Sequence, residues 1–97
     1  MNVDYHPEAR EEFLQAVAYS EKEFGTGEKL RLSVSEAHGL LKQFPTIGEP
    51  EEHAIRRFSL ADFPYSVVYF HDEEAQEILI LAFMHNAREP GYWKERL

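Results

Sequence analysis

The sequence predicts an α+β domain of order β-α-α-β-β-β, with a two-helix hairpin packed on a small, mainly antiparallel sheet and a short C-terminal tail. Three observations predict it. Apolar residues recur every three to four positions across residues 7–43, then give way from residue 53 to runs of aromatic and β-branched residues. Glycine, proline and acidic clusters fall between these segments rather than inside them. A chain of 97 residues, 43% hydrophobic, has material for one core and no second, so residues 1–97 read as a single domain.

Val3 and Tyr5 alternate with Asn2 and Asp4, which suggests a brief first strand. His6-Pro7-Glu8 reads as a helix start, with proline at the first helical position and a carboxylate in the first turn. Ala9, Phe13, Ala16, Val17, Ser20 and Phe24 then form one stripe, and Gly25 is a natural stop, so the first helix spans about Pro7 to Phe24. Leu30, Val34, Ala37, Leu41 and Phe44 form the stripe of a second helix over roughly Gly27 to Gln43. The Gly25-Thr26-Gly27 connection makes the two antiparallel neighbours. Pro45, Gly48 and Pro50, with Glu49, Glu51 and Glu52, read as a loop.

From His53 the period changes. Ile55, Phe58 and Leu60 interleave with polar residues up to a turn at Ala61-Asp62, and Phe63 to His71 has strand composition. His71 to Gln76 is a polar hairpin loop, and Glu77 to Asn86 is the last strand. Pro90-Gly91 breaks the chain before Tyr92 to Leu97, about one helical turn. The last two strands do not alternate cleanly, because Val67 to Phe70 and Ile78 to Met84 are unbroken apolar runs. Strands of this kind ask for cover on both faces. Either central strands simply carry extra apolar residues, or the face away from the helices is a groove for a partner. In the second case the isolated protein dimerises, aggregates or binds hydrophobic dyes.

Charge and composition exclude several functions. The net charge is −8, with eleven acidic and five basic side chains in residues 1–52 and seven against five in residues 53–97. Such a field repels polyanions, so broad nucleic-acid binding is disfavoured and only a patch built from Arg56, Arg57, Arg88, Lys94 and Arg96 would serve. There is no cysteine, hence no disulfide framework and no thiolate nucleophile. The N-terminus has neither a basic nor an apolar signal region. The run Ile78–Met84 is far shorter than the about 20 residues that cross a bilayer. A soluble, cytoplasmic chain without membrane partners is the expectation.

Five histidines and eighteen carboxylates form no metal-binding motif, and His71 with Asp72, Glu73 and Glu74 reads as a solvated turn; no metal or other cofactor is expected. No serine sits in a nucleophile elbow. General acid–base cleavage of RNA needs only a cation on the phosphate and groups that move protons. His85 and Arg88, with Tyr92 just beyond and Arg56 and Arg57 on an earlier strand, are the available set. The plainer reading is a strand-end histidine and surface charge balance.

Arg56-Arg57-Phe58, then Phe63 to Tyr69, then Ile78 to Ala82, then His85-Asn86-Ala87-Arg88-Glu89-Pro90-Gly91-Tyr92-Trp93 resemble the RelE/ParE superfamily of type II toxin–antitoxin systems, the plasmid stabilization proteins. The short first strand, the helix opened by Pro-Glu-Ala-Arg and the Pro-x-x-Gly loop after the second helix extend the resemblance over nearly the whole chain. It implies the β-α-α-β-β-β fold and a cytoplasmic toxin wrapped and neutralised by a cognate antitoxin. It implies one of two targets, mRNA at the ribosome (RelE-like) or DNA gyrase (ParE-like). For an mRNA interferase the catalytic residues would be Arg57, His85, Arg88 and Tyr92. Many relatives carry cations on both sides of the arginine of the His-x-x-Arg stretch, where this chain has Ala87 and Glu89. Losing two cations beside a developing phosphorane charge removes transition-state stabilisation, so the protein-binding reading ranks above the nuclease. A non-toxic binding module that kept the fold is the third reading. Partner contact is expected from Arg56, Val68, Phe70, Leu79, Leu81, Phe83 and Trp93, in a homodimer or a toxin–antitoxin hetero-oligomer.

Overall fold

The computed structural model describes residues 1–97. A first strand, β1 (Asn2–Tyr5), leads into α1 (Pro7–Phe24) and α2 (Gly27–Gln43), followed by β2 (Glu49–Glu52), β3 (Ile55–Ser59), β4 (Tyr65–Asp72) and β5 (Glu77–His85). A single 3₁₀ turn at Lys94–Arg96 closes the chain. Both helices run over the residues their apolar stripes predict. His6 caps α1, its ring nitrogen accepting from the Glu8 amide at 3.1 Å. Gly25 ends it at φ 66°, a left-handed conformation that costs a β-carbon-bearing residue more than glycine.

The sheet has five strands in the order β1-β5-β4-β3-β2. β1 runs parallel to β5, and every other neighbouring pair is antiparallel. β2 lies in the stretch expected as a loop. Its sequence, Glu-Pro-Glu-Glu, is exposed throughout and has no apolar alternation, so only pairing with β3 (Glu49 opposite Arg57, Pro50 opposite Arg56) makes it a strand. Proline is tolerated because this is the sheet edge.

The two apolar runs resolve into two faces. Val67, Tyr69, Ile78, Ile80 and Phe83 face the helices and join Ala9, Leu30, Val34, Ala37 and Leu41 in the larger cluster. Ile55, Val68, Leu81, Ala82 and Met84 face the other way, and the tail folds back so that Trp93 joins them. Alternation along β5 breaks once. Val68 opposes Ala82 while Tyr69 opposes Ile80, so Leu81 is one residue too many for its partner strand. This β-bulge leaves Leu81 and Ala82 on the same face and reverses everything after them. Strict alternation from Leu79 would have put Phe83 with Leu81; the bulge turns it instead onto the helix side, between Phe13 (ring centroids 5.5 Å) and Tyr65 (4.9 Å).

Candidate functional site

β1 ends opposite Ile80, so the groups of β5 beyond that point have no strand beside them on that edge. Two side chains replace it. Arg96, from the tail, donates to the Leu81 carbonyl at 2.9 Å, and the Phe83 amide donates to Glu12 of α1 at 3.1 Å. Glu12 and Arg96 are themselves joined as a two-pronged pair, at 2.9 and 3.1 Å, with side chains only 16% and 10% exposed. Glu8, one helical turn earlier, lies 3.4 Å from the same guanidinium. A fork of this geometry, with both carboxylate oxygens engaged, is among the stronger polar contacts a protein makes. It ties the tail to α1 and to the bulge together.

Arg88 reaches the cluster from the β5 exit, 3.3 Å from Glu12, and lies over the Tyr92 ring at 3.4 Å from its centroid. Arg96 approaches the same ring at 5.0 Å. Burial, and secondly the Glu12 charge, push the Tyr92 phenol up to about 12. Its hydroxyl is buried, close enough to Glu12 to feel the carboxylate but outside hydrogen-bonding geometry with any group.

The four residues considered for RNA cleavage therefore occupy separate places. Arg57 stands opposite Val68, on the tail-covered face. There it donates to Ser66 Oγ at 3.4 Å and Asn86 Oδ1 at 3.3 Å, with Glu51 at 3.9 Å. Ser66 donates to the same Asn86 oxygen at 2.6 Å and meets Ser59 at 3.0 Å. His85 stands opposite Tyr65, on the helix side, its ring edge-on to Tyr65 and its Nδ1 accepting from the Ala87 amide at 3.0 Å. Arg57 and His85 thus project from opposite faces of one sheet. Only Arg88 and Tyr92 meet. A proton donor must touch the leaving oxygen, and the buried Tyr92 hydroxyl is not presented to one.

The residues considered for partner contact also divide. Val68, Leu81 and Trp93 are buried beneath or within the tail, while Phe70 and Leu79 remain half-exposed on the same face. Phe83 belongs to the helix side, for the reason given above. Arg56 projects with Tyr69 towards the helix side and donates to the carbonyls of Thr46 (3.2 Å) and Gly48 (2.9 Å), pinning the loop before β2. The Tyr69 hydroxyl completes that loop, donating to Pro45 O at 2.7 Å and accepting from Gly48 N at 3.1 Å. Glu12, Ser66 and Asn86 carry the polar architecture and were not singled out by the sequence. The one local signal for Glu12 is Glu8 a helical turn before it, too common a spacing to decide anything.

The chain matches the family model described as ParE toxin of type II toxin-antitoxin system, parDE, over residues 3–90. Among solved structures it is similar to one from P. aeruginosa described as a chromosomal ParDE TA system, with a TM-score of 0.73 and 19% sequence identity. That likeness covers 88% of this chain and 95% of the other, and at this identity it speaks for the fold. No curated protein matches the sequence.

Proposed function

Since the chain belongs to the ParE toxin family of type II toxin–antitoxin systems, we propose that it is a growth-inhibiting toxin of the cytoplasm, neutralised by a co-encoded antitoxin. We propose further that it acts by binding a protein target, DNA gyrase being the first to test, rather than by cleaving RNA. One observation carries the second step: Arg57 and His85 project from opposite faces of the sheet and are not gathered on one face as a phosphate site would ask. The charge balance supports it. Arg57, Arg88 and Arg96 each face a carboxylate, and a cation already paired offers less to a developing phosphorane charge. Half-exposed Phe70 and Leu79, bordering the tail-covered face, support antitoxin contact there. A partner that displaced Trp93 would gain Val68 and Leu81 as well, in a toxin–antitoxin hetero-oligomer.

Induced expression tests the first step: growth stops, and co-expression of the protein encoded next to this gene restores it. Unimpeded growth would make the chain a binding module that kept only the fold. For the second step, purified protein is added to a gyrase supercoiling reaction and to ribosomes carrying mRNA. Inhibited supercoiling with intact mRNA is expected. Cleaved mRNA, with cleavage lost in Arg88→Ala or Tyr92→Phe, would replace this reading with a nuclease built on the Arg88–Tyr92 contact.

A further inference from the structure

Four of the six arginines are committed within the fold: Arg56 to loop carbonyls, Arg57, Arg88 and Arg96 to carboxylates. The other two line one cleft. Arg10 on α1 has no carboxylate within salt-bridge distance, and Arg31 on α2 has only exposed Glu28, at 3.6 Å. The cleft between the helices holds about 310 Å³ and is otherwise formed by Tyr5, Phe13, Leu14, Val34, Ser35 and His38. Phe13, Leu14 and Val34 make an apolar wall, and the Tyr5 hydroxyl is hydrogen-bonded to His38 Nε2. On a chain of net charge −8, this is where uncommitted guanidinium charge gathers.

We infer that this cleft is a binding site for a carboxylate carried on an apolar body of about amino-acid size. The volume sits at the small end of ligand pockets, which run from roughly 300 Å³ and combine apolar walls with a few placed polar groups. A guanidinium on each helix matches a carboxylate, in the planar geometry arginine favours. The Ser35 hydroxyl is a further donor, and the ring or branched chain of the ligand rests on Phe13, Leu14 and Val34. Arginine with an apolar floor discriminates against inorganic anions, which gain nothing from the floor, and against neutral rings, which gain nothing from the cations. The groups around His38 are Tyr5 from β1, Arg10 from α1, and Arg31 and Lys42 from its own helix. All the charged ones are positive, so a bound carboxylate stabilises the imidazolium.

Phenylacetate is the probe, followed by NMR on the intact protein. Expected are saturable shifts confined to the α1–α2 cleft, a rise in the His38 pKa on binding, and no movement of the His53 signals at the β2–β3 turn. Arg10→Gln and Arg31→Gln, both exposed and away from the core, each weaken binding several-fold while thermal unfolding stays in place. The same chemistry exists at a peptide C-terminus, so Ala-Ala-Ala-Phe is titrated alongside. Tighter binding of the peptide assigns the cleft to a chain end, and tighter binding of phenylacetate to a free acid. Phenylacetamide binding as well as phenylacetate, inorganic phosphate binding as well as either acid, or no saturable shift at all would each overturn the inference.

Discussion

The two faces of this sheet are closed by unlike means. On one side, 35 residues of helix lie over Val67, Tyr69, Ile78 and Ile80, continuing a cluster of twelve buried residues. On the other, a tail of a few residues lays one tryptophan over Ile55, Val68, Leu81 and Met84 and is fastened by Arg96 to Glu12. The first cover is continuous with the core. The second is local, and it leaves the Trp93 indole N–H and the Tyr92 hydroxyl buried without partners, at a cost of about 1–3 kcal/mol each. A strand buried on both faces can therefore have one face closed by the core and the other by a local cover. For a partner of the kind proposed above, the tail-covered face is the one to watch.

The largest effect belongs to the helix face. Ile80→Ala empties space at 0% exposure between β5 and the helices and costs about 3–4 kcal/mol in a urea melt. Trp93→Ala costs less, about 2–3 kcal/mol, because removal of the unpaired indole N–H offsets part of the lost packing. It differs in kind as well: hydrophobic dye binds the folded variant, whereas Ile80→Ala binds none until it unfolds. Equal dye binding by both would end the distinction between the faces. Glu12→Gln keeps an acceptor for the Phe83 amide but leaves the Arg96 charge only the exposed Glu8, for a loss of about 2 kcal/mol. The Tyr92 and Trp93 signals move first on heating.

The smallest effects are pH dependences, one for each face. Burial, and secondly Lys42, lower the His38 pKa below its ordinary 6.5. The unfolded chain then takes up the proton first, so this contribution is intact above about pH 6.5 and is lost as pH falls towards the folded value. The difference in stability between the protein and His38→Gln narrows accordingly on acidification. Tyr92 has the opposite sign. Raised to about 12 from 10, its contribution is intact below pH 10 and is lost as pH climbs from 10 to 12. Tyr92→Phe removes that part of the alkaline loss.

Periodicity made the helices and central strands legible, because each has an apolar stripe or run bounded by Gly, Pro or acids. It failed where pairing rather than composition decides. Glu-Pro-Glu-Glu becomes a strand only by meeting Arg56 and Arg57, and nothing in those four residues announces it. The bulge at Leu81–Ala82 is hidden because every neighbour is apolar, so a change of phase leaves no trace in the pattern. The same limit governed the candidate site. His85 closes its strand and Arg57 sits in the middle of its own, but only the register reveals that they face apart. The tail was recognisable as a short turn beyond the Pro90-Gly91 break; its anchor, Glu12, is 84 residues away in sequence and is chosen by geometry alone.

The outermost strand has a consequence for how molecules of this protein treat one another. Its three glutamates and one proline stand at the open border of a sheet whose middle is almost wholly apolar. A second copy arriving border to border meets like charge in register and a missing N–H, so lateral growth into a fibre begins with repulsion. The opposite border is only four residues long. Salt screens charges that are exposed in this way, and at high ionic strength the repulsion fades. High salt is thus the condition in which this chain changes from a shy neighbour into a sticky one.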